Sequence, residues 1–134
     1  METVSEVTEE STGAVVVNRT VDQPVAKVWD VLMTDEGSEI LLGPGAHFGA
    51  KGSKWKSRDG REGVIRSFHP LEEIRFSWRR DDSAQPVMVS VDLSGVEDKT
   101  TITITHEHDH DEKKRQWIID HWEGALERIE SECL

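Results

Sequence analysis

The chain has 134 residues and a formal net charge of -11, from 27 Asp and Glu against 16 Lys and Arg. So negative a surface repels phosphate backbones and anionic lipid headgroups, which argues against nucleic-acid and membrane partners. The length suits one domain with its own core, and five tryptophans in a chain only 35% apolar concentrate burial into a few large side chains.

Residues 1–12 (METVSEVTEEST) are acidic and rich in Ser, Thr and Glu, and are expected to be a disordered acidic tail. They lack a cationic start followed by an apolar run, so no signal peptide is expected. A single domain is expected over 13–134, with Ala14 to Val17 as its first strand. Pro24 suits a first helical turn, with Asp22 in an N-cap-like place. Val25, Val28, Trp29, Leu32 and Met33 then recur on one helical face. Thr34-Asp35 can cap a second short helix through Ile40 and Leu41, which Gly43-Pro44-Gly45 stops.

From residue 50 to 108 the pattern changes to period two, as in half-buried strands. Residues 53–58 and 61–68 flank the turn Asp59-Gly60, and His69-Pro70-Leu71 interrupts pairing. Ile74, Phe76 and Trp78 share one face; Val87, Val89, Val91 and Leu93 another; Ile102, Ile104 and His106 a third, after a turn around Gly95 to Lys99. Asp111 to Leu134 has the spacing of a long helix, with Ile118, Ile119, Trp122, Ala125, Leu126 and Ile129 as its apolar stripe. No segment reaches the roughly 18 apolar residues of a membrane span. The single cysteine, Cys133, allows no intrachain disulfide. A cytoplasmic protein is the expectation.

The predicted order is β-α-α-β-β-β-β-β-α. With the segments Val21 to Asp35, Leu42-Gly43-Pro44-Gly45, Asp59-Gly60 with Gly63, His69 to Trp78, Thr103 to His106, and His121-Trp122, it resembles the helix-grip START and birch-pollen-allergen (SRPBCC) superfamily. Within that superfamily the chain is similar to the group related to the activator of the heat-shock-protein-90 ATPase. Two features depart from the group's pattern: Leu41 and Leu42 replace a usual tryptophan pair, and His69 replaces an acidic residue. The resemblance implies an α+β fold, a six-stranded antiparallel sheet wrapped around a long C-terminal helix, with two short helices after the first strand. It also raises the expectation of an apolar ligand held between sheet and helix.

By strand and helix phase, the residues expected to line such a cavity are Trp29, Leu41, Trp55, Phe76, Trp78 and Val89, together with Val91, Ile104, His106, Ile118, Trp122 and Ala125. Trp78, His106, Ile118 and Trp122 are the expected ligand contacts, with His106 at the cavity mouth. The competing reading is an ordinary close-packed core made of the same residues. Gly124 costs a helix about 1 kcal/mol relative to Ala, and marks either a close backbone approach or the edge of an opening.

His106, His108 and His110 point one way in extended geometry and are weak candidates for zinc, with His47, His69 or His121 as a further ligand. The bland alternative is that Asp109 to Glu112 is a capping box opening the final helix. No metal and no cofactor is expected. No catalytic residue is assigned, since tyrosine is absent and no inward carboxylate is in phase with His106. The Gly45 to Gly52 loop lacks a phosphate loop's second glycine and Ser/Thr, and Cys133 has no activating neighbourhood.

The leading expectation is therefore a non-enzymatic domain that binds a small, largely apolar molecule. The family likeness adds a protein-interaction role of co-chaperone type, with a chaperone or a second copy as partner and a monomer or homodimer as the assembly. A cyclase- or hydrolase-like enzyme using His106 is the third reading.

Overall fold

A computed structural model of the chain describes residues 5–9, 14–81, 83, 85–107 and 115–134. Along the chain run β1 (Ser5–Glu9), β2 (Val15–Val21), α1 (Val25–Leu32), α2 (Asp35–Leu42), β3 (Lys54–Lys56), β4 (Glu62–His69), β5 (Glu73–Trp78), β6 (Val87–Val96) and β7 (Lys99–His106). The chain ends in α3 (Arg115–Arg128) and a π-helical turn, Ile129–Cys133. One antiparallel sheet has the order β1-β2-β7-β6-β5-β4-β3. The six expected strands are present, together with the two short helices after the first of them and the long C-terminal helix, so the helix-grip architecture holds.

The N-terminus departs from expectation. Ser5–Glu9 pairs with β2, from Ser5↔Arg19 to Glu9↔Val15, where a disordered tail was expected. A short strand with two glutamates carries little hydrophobic signal, and backbone pairing to an existing edge creates it instead. Residues 1–4 and 10–13 lie outside the described residues, as do 108–114, which hold His108, His110 and the expected capping box.

Local chemistry explains most boundaries. Thr34 caps α2, its Oγ1 accepting from the Gly37 amide at 3.1 Å, and Gly43 ends the helix at φ 121°. The N-cap of α1 is Pro24, not Asp22, and makes no side-chain cap bond. The turn between β6 and β7 closes at Val96↔Lys99, so Gly95 continues β6 and Glu97 takes φ 55°.

Register decides what faces inward. Val89↔His106, Val91↔Ile104 and Leu93↔Ile102 align across β6 and β7, while Thr101, Thr103 and Thr105 take the outer face. From α3 and the turn after it, Ile118, Trp122, Ala125, Leu126 and Ile129 bury against the sheet. Each fully buried Leu, Ile or Phe contributes about 1.5–3 kcal/mol. The C-terminal turn is also clamped from outside the core, because Arg19 on β2 donates from Nη2 to Glu130 Oε1 at 2.7 Å.

Candidate functional site

All twelve residues expected to line a cavity lie together in the interior, the most exposed being Trp29 at 8%. Their rings interlock. Trp55 and Phe48 meet Phe76 edge-on, with centroids at 6.1 and 5.7 Å. Trp78 packs between His106 at 5.3 Å and Trp122 at 6.0 Å. Leu41, Val89, Val91, Ile104, Ile118 and Ala125 fill the space around them.

His106, expected at a cavity mouth, is 1% exposed, and its Nδ1 accepts from Trp122 Nε1 at 3.0 Å. A β-strand position in phase with Ile102 and Ile104 carries it inside, where the indole N–H satisfies its Nδ1. The catalytic reading of His106 therefore meets an imidazole held within the core. Among the described residues no group of three or more His, Cys, Asp or Glu could hold a metal ion, and His47 lies instead 3.5 Å from both Asp35 and Glu39.

Beside α3 the molecule opens into a cavity of about 510 Å³. Glu36, Glu39 and Ile40 of α2 form one wall, Gly43 and Pro44 a corner, and Asp59 and Arg61 of the β3–β4 turn another. His121, Gly124, Ala125 and Arg128 of α3, followed by Glu132 and Cys133, complete it. Only Ala125 belongs both to this cavity and to the twelve expected residues. An added Cβ on Gly124 would meet nothing within 4 Å, so this glycine marks the edge of an opening and not a close approach.

The turn that supplies Asp59 and Arg61 is tightly built. Ser57, 3% exposed, donates to Asp59 and accepts from the Arg61 amide at 3.0 Å. Gly43 is required beside it, since a Cβ there would come within 2.7 Å of Ser57 Cβ.

His121 joins the cavity to the aromatic interior. Its ring stacks on Trp117 at 4.9 Å with 7° between planes and meets Trp122 edge-on at 4.6 Å. Arg80 covers the Trp117 face at 5.3 Å. Burial pushes the His121 pKa down to about 4, helped by repulsion from Arg61 and His106 and opposed by Asp59. The ring is therefore neutral near pH 7. Among the described residues, neither His121 Nε2 nor the buried Trp78 Nε1 has a hydrogen-bond partner. The cavity floor thus offers a neutral, polar aromatic contact within a mixed lining. Burial, with Glu36 and Glu132 nearby, raises the Cys133 thiol pKa, which leaves it a weak nucleophile.

Sequence reasoning missed His121, Asp59, Arg61 and the α2 acids. His121 was legible in part, since it falls three residues after Ile118 and four before Ala125, on the helical face that turns inward. Asp59 read as a turn residue, and nothing in the sequence brings that turn to α3.

A family model described as "Activator of Hsp90 ATPase homolog 1-like protein" matches residues 20–133. No curated protein matches the sequence. Among solved structures, CalU16 from Micromonospora echinospora is similar with a TM-score of 0.74 at 19% identity, covering 95% of this chain and 83% of that one. The Aha1 dimer from Colwellia psychrerythraea gives 0.70 at 18%, covering 97% and 94%. An HSP90 activator from Plasmodium falciparum gives 0.72 at 15%, covering 87% and 93%. At such identities the likeness is one of fold.

Proposed function

The chain belongs to the family of Activator of Hsp90 ATPase homolog 1-like proteins, and from that premise we propose that it is a small-molecule binding domain. It holds a largely apolar ligand at the junction of α2, the β3–β4 turn and α3. The observation that carries this reading is the cavity of about 510 Å³ that reaches His121 and Ala125. Volumes of this order suit small organic ligands, and sites of that kind combine apolar walls with a few polar groups. Ile40, Pro44, Gly124 and Ala125 supply the apolar contacts and the neutral His121 ring a polar one, while Glu36, Glu39, Asp59, Arg61, Arg128 and Glu132 give the rest of the lining charged groups for a polar end of the ligand. Trp78 and Trp122 pack against the His121 ring, with centroids at 5.9 and 4.6 Å, and support it in place of direct contact with the ligand.

Native mass spectrometry of the purified protein tests this reading. A discrete extra mass on the wild type, absent from Gly124→Phe, supports a ligand in the cavity. An extra mass retained by Gly124→Phe, or none after incubation with medium-chain alcohols, contradicts it.

A second reading, a co-chaperone role with a chaperone or a second copy as partner, rests on the family and on the likeness to the Plasmodium falciparum activator. Stimulation of the chaperone's ATPase by the purified chain supports it, and an unchanged rate at saturating protein removes it.

A further inference from the structure

A second concavity, of about 580 Å³, lies at the opposite end of the sheet order from β1 and shares no residue with the cavity beside α3. Four cations border it, Lys54, Lys56, Arg66 and Arg79, against one carboxylate, Glu62. On a chain of net charge -11 this is a local reversal of sign. Glu62 pairs with Arg79 and lies 3.9 Å from Lys56 Nζ. Lys54 and Arg66 are exposed and form no ion pair among the described residues. Val64 and Pro86 add apolar surface between the charges.

The groove has an unusual floor. Between Ile65↔Phe76 and the isolated Glu62↔Arg79 bridge, the backbone pairing of β4 and β5 is interrupted, with Gly63 close against the Ser77 carbonyl. Side chains take over there: Ser77 Oγ accepts from the Val64 amide at 2.9 Å, and Trp55 Nε1 donates to the Ser77 carbonyl at 3.2 Å. The floor is therefore held in place by bonds that a bound ligand need not make.

Beside the groove the sheet ends in a free edge. Among the described residues β3 has β4 as its only ladder neighbour. Ile65 N–H donates to Ser53 O at 2.9 Å and Ser57 N–H to Arg61 O at 2.8 Å. Antiparallel alternation then pairs Trp55 with Gly63 and turns the N–H and C=O groups of Lys54 and Lys56 away from β4. The same two residues line the groove. Lysines on an edge keep uncharged strands from docking, and an acidic strand inverts that discrimination.

We propose that the free edge of β3 and the cationic groove beside it together receive an extended acidic peptide of a partner protein. It adds as a further strand next to Lys54–Lys56, with its acidic side chains on the Lys54, Lys56 and Arg66 side and its backbone on the open edge. A compact anion would use the charges and leave the edge empty, and a nucleic acid brings a long polyanion against the negative remainder of the surface.

Fluorescence anisotropy with a short labelled peptide of alternating Glu and Val, titrated with the full chain, tests the proposal. Binding is expected to weaken about tenfold or more in Lys54→Glu/Lys56→Glu, and to fall on raising the salt. Both lysines are exposed, so the variant keeps its fold, which an unchanged melting curve checks. Methylating the peptide's backbone nitrogens should also abolish binding, which charge attraction alone would not require. No binding at about 1 mM peptide, equal binding by the double variant, or equal binding of the methylated peptide overturns the proposal. So does single-stranded oligothymidylate binding more tightly than the peptide.

Discussion

Trp122 Nε1 donates to His106 Nδ1 at 3.0 Å, with both residues at most 1% exposed, so one hydrogen bond in the core joins α3 to the last strand. The bond makes the helix grip specific, because sliding α3 along the sheet would bury an indole N–H and an imidazole nitrogen without partners. Trp122→Phe should therefore destabilise the fold by about 2–4 kcal/mol, from the unmet acceptor and the space left by the smaller ring. Urea denaturation of the variant against wild type measures it, and a loss below about 0.5 kcal/mol would refute the coupling.

Gly124 faces open space, so Gly124→Ala should stabilise the protein by about 0.5–1 kcal/mol through helix propensity alone. Gly124→Phe places a ring in the cavity and should abolish ligand uptake while leaving the fold intact. Thermal melting with circular dichroism separates the two effects.

Gly63 is the opposite case. A Cβ there would lie 1.7 Å from the Ser77 carbonyl oxygen and 2.7 Å from Trp55 Nε1. Backbone cannot yield as a flexible side chain would, so Gly63→Ala should cost about 3 kcal/mol or more. Loss of the Trp55 contribution to near-ultraviolet circular dichroism should accompany it.

Two groups give opposed pH dependences. The unfolded chain protonates His121 near its ordinary 6.5, while the folded chain resists until about 4, so stability falls as pH drops through that window. Asp92 works the other way. Burial raises its pKa to about 6, and a shared hydrogen bond and like charge with Glu73 add to the rise, against an ordinary 3.8. The folded chain then keeps a proton that the unfolded chain releases, and stability rises as pH drops from about 6 to 3.8. Asp92→Asn should therefore be more stable than wild type at pH 7 and should lose stability more steeply between pH 6 and 4. His121→Leu should flatten the decline. Melting temperatures across that range decide between them.

Much of this molecule was legible in the sequence because its signals are periodic. The alternation Ile102, Ile104, His106 and the stripe Ile118, Trp122, Ala125, Leu126 each picked the buried face correctly. Glycine and proline marked most boundaries for local reasons, as Gly43 does at the end of α2. What could not be read was how tightly the two apolar faces would meet. The twelve inward-facing residues are core, while the opening forms where α2, a turn and α3 leave each other, and its lining includes the charged Asp59, Arg61 and Glu36. Period reports which face is buried, and the space between faces depends on side-chain fit, which no strand pattern encodes. The strand Ser5–Glu9 escaped for a related reason, since an edge strand can be made by backbone bonds with few apolar residues.

The central claim, that the cavity beside α3 is the ligand site, is tested most directly by mapping amide chemical shifts while titrating the protein with 1-decanol. The account predicts saturable shifts clustered at Ile40, His121, Gly124 and Ala125, and none in Gly124→Phe. Saturable shifts centred elsewhere, or none at the solubility limit of the alcohol, would contradict it.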